Sequence, residues 1–236
     1  MAEPVSEPIL ELEDVAKRYR MGEVVVEALR GVSFDVHAGE YVAIMGESGS
    51  GKSTLLGILG CLDRPTSGSY RLVGEEMAAL PEARRARVRG ERIGFVFQAY
   101  NLLPRATAYQ NVELPLVYAR IPARARRPRV LDALEAVGLA DRAGHYPNQL
   151  SGGQQQRAGI ARALVTEPRV VLADEATGNL DSASAEEVLL LIDRLHAQGT
   201  TIVLVTHSHD VARRASRILR VADGRLVSDT ALEPAA

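Results

Sequence analysis

The chain has 236 residues, of which 46% are apolar and 25% are charged, and its formal net charge at pH 7 is −2. This composition is ordinary for a globular protein, and the balanced charge excludes nucleic-acid binding through overall electrostatics. No run of 18 apolar residues occurs, which excludes a transmembrane helix, and the single cysteine, Cys61, excludes an internal disulfide and favours a cytoplasmic location.

The first predicted elements are strands. Residues 9–36 alternate apolar and polar side chains, which predicts a small antiparallel sheet with Gly31 as a break. Tyr19 lies in the first part of this sheet. Its ring is suited either to stacking on adenine or to ordinary packing, and the sequence leaves both open.

The next stretch predicts a strand, a phosphate-binding loop and a helix. The apolar run 41–45 reads as a buried strand and 55–59 as a packed helix. The loop between them fits G-x-x-x-x-G-K-[ST], in which glycines let backbone N–H groups approach phosphate oxygens. Lys52 carries positive charge to the β- and γ-phosphates, and the Ser53 hydroxyl ligates Mg²⁺. The predicted loop comprises Gly46, Glu47, Ser48, Gly49, Ser50, Gly51, Lys52, Ser53 and Thr54.

The middle of the chain changes character. A turn at 65–68, a strand at 69–73, a helix at 81–92 and an apolar strand at 93–97 lead to Gln98. Five prolines then punctuate residues 99–149, which predicts a mainly helical insertion. Its helix at 130–137 is expected to bury one face made of Leu131, Leu134 and Val137.

The last third predicts further strands and helices in alternation. Apolar strands at 170–173 and 201–206 run into Asp174-Glu175 and His207, a helix covers 183–197, and a hairpin closes around Asp223-Gly224. Buried apolar strands that alternate with helices predict a parallel α/β core.

Polar residues just past the apolar strands form a candidate catalytic constellation with the phosphate loop. Ligands of parallel sheets bind at the carboxyl ends of the strands, where Gln98, Asp174, Glu175 and His207 lie. Asp174 is suited to holding Mg²⁺, Glu175 to orienting or deprotonating the attacking water, and His207 to contacting the γ-phosphate.

A second phosphate-type site is predicted where another helix begins. Ser151, Gly152, Gly153 and Gln154 open a helix through about residue 165, so backbone N–H groups again face an anion. Taken alone, the segment is equally a glycine-rich helix cap. Two chains arranged head to tail explain both sites, since each second site then closes over the partner chain's nucleotide.

With these motifs in order, the chain resembles the ATP-binding-cassette (ABC) ATPases, whose signature is Leu150-Ser151-Gly152-Gly153-Gln154. The resemblance implies a P-loop NTPase (RecA-like) core with a parallel sheet, an N-terminal antiparallel β subdomain and a helical insertion. It implies one nucleotide-binding domain over 1–236 with a helical subdomain at roughly 99–157, and ATP with Mg²⁺ as cofactors. The implied catalytic residues are Glu175, His207, Gln98 and Lys52, and the implied metal ligands are Ser53, Gln98 and Asp174. Tyr19, the loop 46–54, Ser151 to Gln154 and Asp181 are the implied nucleotide contacts.

Finer features resemble the MacB/LolD-like branch, among them 94–98 with Asn101 to Pro104, and Gly178 to Asp181. The resemblance implies an ATP-dependent head-to-tail dimer on the inner face of the cell membrane, bound to a permease, with an extracytoplasmic adaptor as a further candidate partner. The function that the resemblance implies is to power macrolide or peptide export or lipoprotein release. Ala176 departs from the branch, which usually has proline there, and it cannot rigidify that turn.

The sequence leaves one alternative open and argues against two others. A regulatory ABC ATPase of the cell-division type would signal through a membrane partner without transport, and this sequence barely separates the two. A DNA-repair ABC ATPase requires long coiled coils, yet 54–150 holds no sustained heptads. A simple P-loop kinase would not need the signature at 150–154.

Overall fold

The computed structural model describes residues 7–232, in which ten strands and seven α-helices are assigned. The strands are β1 (Pro8–Met21), β2 (Val24–His37), β3 (Tyr41–Met45), β4 (Ser67–Leu72), β5 (Glu75–Glu76), β6 (Ile93–Phe97), β7 (Val170–Asp174), β8 (Ile202–Thr206), β9 (Arg217–Ala222) and β10 (Arg225–Ala231). The helices are α1 (Lys52–Leu59), α2 (Glu82–Arg92), α3 (Ala108–Tyr118), α4 (Ala123–Ala136), α5 (Gly152–Leu164), α6 (Ser182–Ala197) and α7 (His209–Ala212).

The chain forms two compact units. The first runs up to Ala86 and resumes at Gly199, and the second is Arg87–Gln198. The single nucleotide-binding domain expected over 1–236, with its helical subdomain at 99–157, stays a prediction, and residues 1–6 and 233–236 lie outside the described part.

An antiparallel sheet with the strand order β2-β1-β4-β5 lies in the first unit, which confirms the sheet predicted at 9–36. Gly31 does not end β2. The pairing shifts from Val15 with Val32 to Ala16 with Arg30, so Gly31 is the extra residue of a bulge, and its φ of +80° is one that glycine adopts freely.

The first unit also holds parallel strands. β3 pairs in parallel with both β8 and β9, and β10 returns antiparallel along β9, as the hairpin prediction requires. Every residue of β3 and β8 is buried, which is why both read as unbroken apolar runs. The carboxyl ends of β3 and β8 therefore open at one edge, where the phosphate loop and His207 begin.

The second unit pairs β6 with β7 in parallel and adds helices α3 to α6. The register joins Phe97 to Asp174, so these two strands also end at one edge. Together with the pairs of the first unit, this arrangement confirms the predicted α/β architecture with parallel strands and an antiparallel β subdomain.

The helical part differs from its prediction in two respects. Pro115 and Pro128 lie inside α3 and α4 rather than between elements. The prediction of the buried face of α4 is also wrong by one position. Val130 is buried, whereas Leu131 is 38% exposed. Within residues 7–232, no helix is long and apolar enough to cross a bilayer.

Candidate functional site

The predicted phosphate loop joins β3 to α1 in the first unit. Helix α1 begins at Lys52, and its N-cap residue, Gly51, has a φ of +108°, a left-handed conformation that favours glycine. Among the described residues, no side chain caps this helix end, and its first turn has no acidic residue. The first N–H groups of α1 and the positive end of its dipole are therefore open to an anion.

Two glycines of the loop are required by close packing. A Cβ at Gly46 would lie 2.2 Å from the carbonyl oxygen of Val221, and one at Gly51 would lie 2.6 Å from that of Ala28. Gly49 differs, because a Cβ there would meet no atom within 4 Å, while the φ of this residue is +80°. Its requirement is conformational, and its surroundings leave room for a ligand.

The Lys52 side chain lies against the start of the phosphate loop. Its Nζ donates to the carbonyl oxygens of Gly46 and Glu47, each at 2.7 Å. The Ser50 hydroxyl is buried in the same loop and has no hydrogen-bond partner among residues 7–232. A phosphate group would supply an acceptor to both side chains, so the loop has the donors that a bound nucleotide needs.

A cavity of about 580 Å³ opens beside the phosphate loop. Loop residues 46–50 form one wall, and His207, the residue that follows β8, forms part of another. Arg220 and His209 also line this cavity. The first unit thus brings His207 to the phosphate loop, while its contact with a γ-phosphate stays a prediction.

Tyr19 is held by a carboxylate and a lysine while 37% of it stays exposed. Its hydroxyl donates to Asp63 Oδ2 at 2.7 Å. Lys17 Nζ donates to Asp63 Oδ1 at 2.6 Å and lies 4.8 Å from the centroid of the Tyr19 ring. The ring is therefore fixed in direction yet accessible, which suits the stacking role better than the packing role.

The same cluster shifts two pKa values in opposite directions. Burial raises the pKa of the Tyr19 phenol, and its hydrogen bond to Asp63 adds to the rise. Burial acts to raise the pKa of Asp63 too, but the hydrogen bonds from Lys17 and Tyr19 outweigh it and hold that pKa below its usual value. Asp63 is thus ionised at neutral pH.

The two predicted acids lie at the end of β7 in the second unit. Asp174 is the last residue of this strand and is paired with Phe97, so Gln98 and Glu175 follow neighbouring strands at one edge. Glu175 has a φ of +46°, which is uncommon for a residue with a side chain. A hydrogen bond of 2.9 Å from the Gly178 N–H to the Glu175 carbonyl oxygen closes the turn.

Gln98 is paired with Asn179. Gln98 Nε2 donates to Asn179 Oδ1 at 3.2 Å, and Asn179 Nδ2 donates to the backbone carbonyl oxygen of Gln98 at 3.1 Å. A Cβ at Gly178 would lie 2.6 Å from Gln98 Nε2, so any larger residue there would displace this amide. Neither bond uses Gln98 Oε1, the atom that the metal-ligand prediction requires.

The signature segment begins a helix with a capping box. The Gln154 N–H donates to Ser151 Oγ at 3.2 Å, and the Ser151 N–H donates to Gln154 Oε1 at 3.0 Å, which together make a capping box at the start of α5. Cβ atoms at Gly152 and Gly153 would lie 3.0 Å from the Tyr100 hydroxyl and 3.1 Å from Ser184 Cβ. Within the single chain, the segment is therefore a glycine-rich helix cap. Its contact with a nucleotide stays a prediction.

Asp181 caps another helix. Its Oδ1 accepts a hydrogen bond of 3.0 Å from the Ser184 N–H at the start of α6. This bond and one from the Ser184 hydroxyl lower the pKa of Asp181, so its carboxylate is charged at neutral pH. The side chain has a structural task here, and its predicted nucleotide contact stays a prediction.

Several residues that contact predicted site residues or their chain neighbours were not singled out from the sequence, among them Lys17, Asp63, Gln156 and Asn179. The bond between Lys17 and Asp63 joins residues 46 apart. No local pattern marks such a pair. Asn179 lay within the segment that the resemblance picked out, and its position between two functional residues was the one available signal.

The comparisons with known proteins agree on one family. A family model described as ABC transporter matches residues 29–178. An uncharacterized ABC transporter ATP-binding protein of Thermotoga maritima is 58% identical over 218 residues, which are 92% of this chain and 93% of that protein. The macrolide export ATP-binding/permease protein MacB 1/2 of Paracoccus denitrificans is 55% identical over 94% of this chain, and the pyoverdine export ATP-binding/permease protein PvdT of Pseudomonas aeruginosa is 55% identical over 95%. This chain spans only 33% of that MacB protein and 34% of PvdT.

Solved structures give the same result for the fold. The ATP-binding cassette MJ0796, in a dimeric post-hydrolysis state bound to ADP and Pi, is 43% identical and superposes with a TM-score of 0.87 over 95% of this chain and 99% of that chain. A second dimeric structure of MJ0796, described as a bacterial ABC transporter cassette, is 44% identical with the same TM-score.

Proposed function

This chain belongs to the ABC transporter family and is an ATPase of that family, and on this premise we propose that it drives a membrane permease of the macrolide- or peptide-export or lipoprotein-release type. The observation that carries the proposal is the open, glycine-lined phosphate loop at the start of α1. The relatives named for export support the branch.

The nucleotide would be held by the first unit at two places. The N–H groups of 46–54 bind the phosphates, and Lys52 Nζ leaves the carbonyl oxygens of Gly46 and Glu47 for a phosphate oxygen. Tyr19 stacks on adenine, since its ring is exposed and its hydroxyl is anchored on Asp63.

Mg²⁺ is proposed as the metal, and the donor chemistry fits it. Ser53, Gln98 and Asp174 offer a hydroxyl, an amide and a carboxylate, all of them hard oxygen donors. Such a sparse donor set suits Mg²⁺, which commonly uses one or two carboxylates together with substrate phosphates. When bound, the ion would neutralise charge that develops on the phosphate oxygens.

Hydrolysis requires an aligned water and stabilised charge. We assign Glu175 to orient and deprotonate the attacking water, and His207 to donate a hydrogen bond to the γ-phosphate. Asn179 accepts a hydrogen bond from the Gln98 amide nitrogen, which leaves Gln98 Oε1 for the proposed metal contact. Lys52 stabilises the phosphate charge throughout.

A second copy of the chain is the proposed first partner. Both MJ0796 structures are dimers. We propose that ATP joins two copies head to tail, with 151–154 and Asp181 of one copy against the nucleotide of the other. Helix α5 carries no acidic residue in its first turn, so its N-terminus can face an anion.

The second proposed partner is the permease. MacB and PvdT combine ATP-binding and permease functions by name, and this chain matches about a third of each. We propose that this chain works at the inner face of the cell membrane, where it binds a permease near Gln98 and 101–104. An extracytoplasmic adaptor is the further proposed component.

The change Glu175→Gln tests the catalytic assignment. It preserves the side chain's shape and removes its basicity, so ATP should bind with little change while turnover falls at least about a hundredfold. Steady-state hydrolysis and ATP titration measure the two effects. Glu135→Gln, an exposed position on α4, is the matched control and should behave as the wild type. Wild-type turnover in Glu175→Gln would show that another group activates the water.

A further inference from the structure

Gln156 makes a buried contact with the catalytic turn of the second unit. Its side chain is fully buried on α5, two residues after the signature segment 151–154. Its Nε2 donates a hydrogen bond of 2.7 Å to the carbonyl oxygen of Ala176. This contact reaches the residue next to Glu175.

The backbone at that point needs external support. Glu175 has a φ of +46°, a left-handed conformation that costs free energy in a residue with a side chain and persists where surrounding structure holds it. Ala176 is the second residue of the turn that the Gly178 N–H closes on the Glu175 carbonyl oxygen. Alanine leaves its own φ unrestrained, whereas proline would fix it. The hydrogen bond from Gln156 is therefore a side-chain restraint on this turn.

Packing alone does not account for a glutamine at this position. Its Oε1 is buried and has no hydrogen-bond partner among the described residues. An apolar side chain of similar volume would fill the space without leaving a buried acceptor unsatisfied. The bond that Nε2 makes to Ala176 is thus what glutamine contributes here.

We propose that Gln156 is a positioning residue that holds the Glu175 turn in its reactive geometry. The proposal rests on the catalytic role proposed above for Glu175. Gln156 acts through the backbone, since its Nε2 fixes the Ala176 carbonyl and thereby the direction in which the preceding Glu175 side chain leaves the turn. Small misplacements of a reacting group lower the rate strongly while substrate binding is spared.

The first experiment replaces Gln156 with leucine, which removes the donor and keeps the volume. We expect kcat for ATP hydrolysis to fall about ten- to a hundredfold while KM changes less than about twofold. Gln155→Leu is the matched control on the same helix, because its Nε2 donates to the Leu150 carbonyl oxygen at 3.1 Å. That control should retain the wild-type kcat. Should Gln156→Leu fail to fold, Gln156→Met makes the same test.

A rescue separates positioning from general stabilisation. Ala176 stands at the second position of a turn, where proline is favoured. Adding Ala176→Pro to Gln156→Leu should therefore restore kcat to at least about a third of the wild-type value by fixing the backbone directly. If Ala176→Pro raises the melting temperature of Gln156→Leu without raising kcat, Gln156 is only structural and the proposal is overturned.

Hydrogen exchange gives a readout that does not depend on turnover. The Gly178 N–H is protected by its bond to the Glu175 carbonyl oxygen, so it should exchange faster in Gln156→Leu than in Gln155→Leu. Unchanged exchange together with wild-type kcat overturns the proposal. If Glu175→Gln retains turnover while exchange at Gly178 still accelerates in Gln156→Leu, the catalytic role of Glu175 has failed and the restraint by Gln156 stands.

Discussion

The carboxylate of Asp63 accepts hydrogen bonds from Lys17 and from the Tyr19 hydroxyl, and these contacts fix the direction of the Tyr19 ring. Lys17 Nζ and the Tyr19 hydroxyl each donate to one of its oxygens, at 2.6 and 2.7 Å. Asp63→Asn removes the charge that binds Lys17 and should free the ring. Base stacking is worth about 1–3 kcal/mol, and Asp63→Asn frees the ring without removing it. We therefore expect a loss of about 0.7–1.4 kcal/mol, which lowers ATP affinity about three- to tenfold, with kcat little changed.

Comparison of two ligands isolates this effect. Titration with inorganic triphosphate, which has no base, should give the same affinity in Asp63→Asn and in the wild type, whereas titration with ATP should not. Asp132→Asn, exposed on α4, is the control. Equal ATP affinities in Asp63→Asn and the wild type would contradict this prediction. They would mean that Tyr19 does not stack on adenine or that Asp63 is not needed to hold its ring.

The pH dependence of the same contact has a definite sign. The pKa of Asp63 is lowered in the folded protein, so the contribution of its charge is fully present above the ordinary aspartate value of about 4 and is lost only as the pH falls through the lowered value. The difference in ATP affinity between Asp63→Asn and the wild type should therefore stay constant from about pH 8 down to about pH 5.

Site residues that form a contiguous motif could be predicted from the sequence. Residues whose contacts join distant positions of the chain could not. The loop 46–54 is a contiguous pattern whose spacing is fixed by the phosphate group. Lys17 with Asp63, and Gln156 with Ala176, are single hydrogen bonds between residues 46 and 20 positions apart. Lysine, aspartate and glutamine at such positions read as ordinary polar residues until the fold brings them together.

Among the elements, the buried strands were the most predictable because parallel strands covered on both faces read as apolar runs. β6 begins and ends where the sequence predicts. Helix α4 was less predictable because Val130 and Leu131 are adjacent, and periodicity alone does not decide which of two neighbouring apolar residues faces the core. Burial selects Val130, Leu134 and Val137.

The corrected face of α4 can be tested with one substitution at two positions. Leu134 is fully buried and Leu131 is 38% exposed. Leu134→Ala should lower the free energy of unfolding by about 2–5 kcal/mol because it leaves a cavity, while Leu131→Ala should cost less than about 1 kcal/mol. Denaturant titration of both variants measures the difference. Equal losses, or a larger loss at Leu131, would contradict the assigned face.

For the whole molecule, the partners were inferred from the sites. One chain holds a phosphate loop whose helix end is uncapped, and a signature helix whose end is capped by its own Ser151 and Gln154. The loop is open to a ligand, whereas Ser151 Oγ and Gln154 Oε1 each already accept a hydrogen bond within the chain. The proposed contact of the exposed Ser151 with the nucleotide of a second copy stays a prediction. The dimeric structures of MJ0796 support the presence of a second copy.

Capture from membranes tests the complete assembly. If Glu175 activates the attacking water as proposed, Glu175→Gln does not consume bound ATP and the ATP-joined state should accumulate. Tagged Glu175→Gln, expressed with an untagged copy in the native host and solubilised with ATP, should bring down that copy and a permease with a large extracytoplasmic domain. Lys52→Ala, which loses its phosphate contact, should not bring down the second copy. A membrane partner without a substrate path would favour the regulatory alternative. Recovery of the second copy without any membrane protein would contradict the proposed binding to a permease.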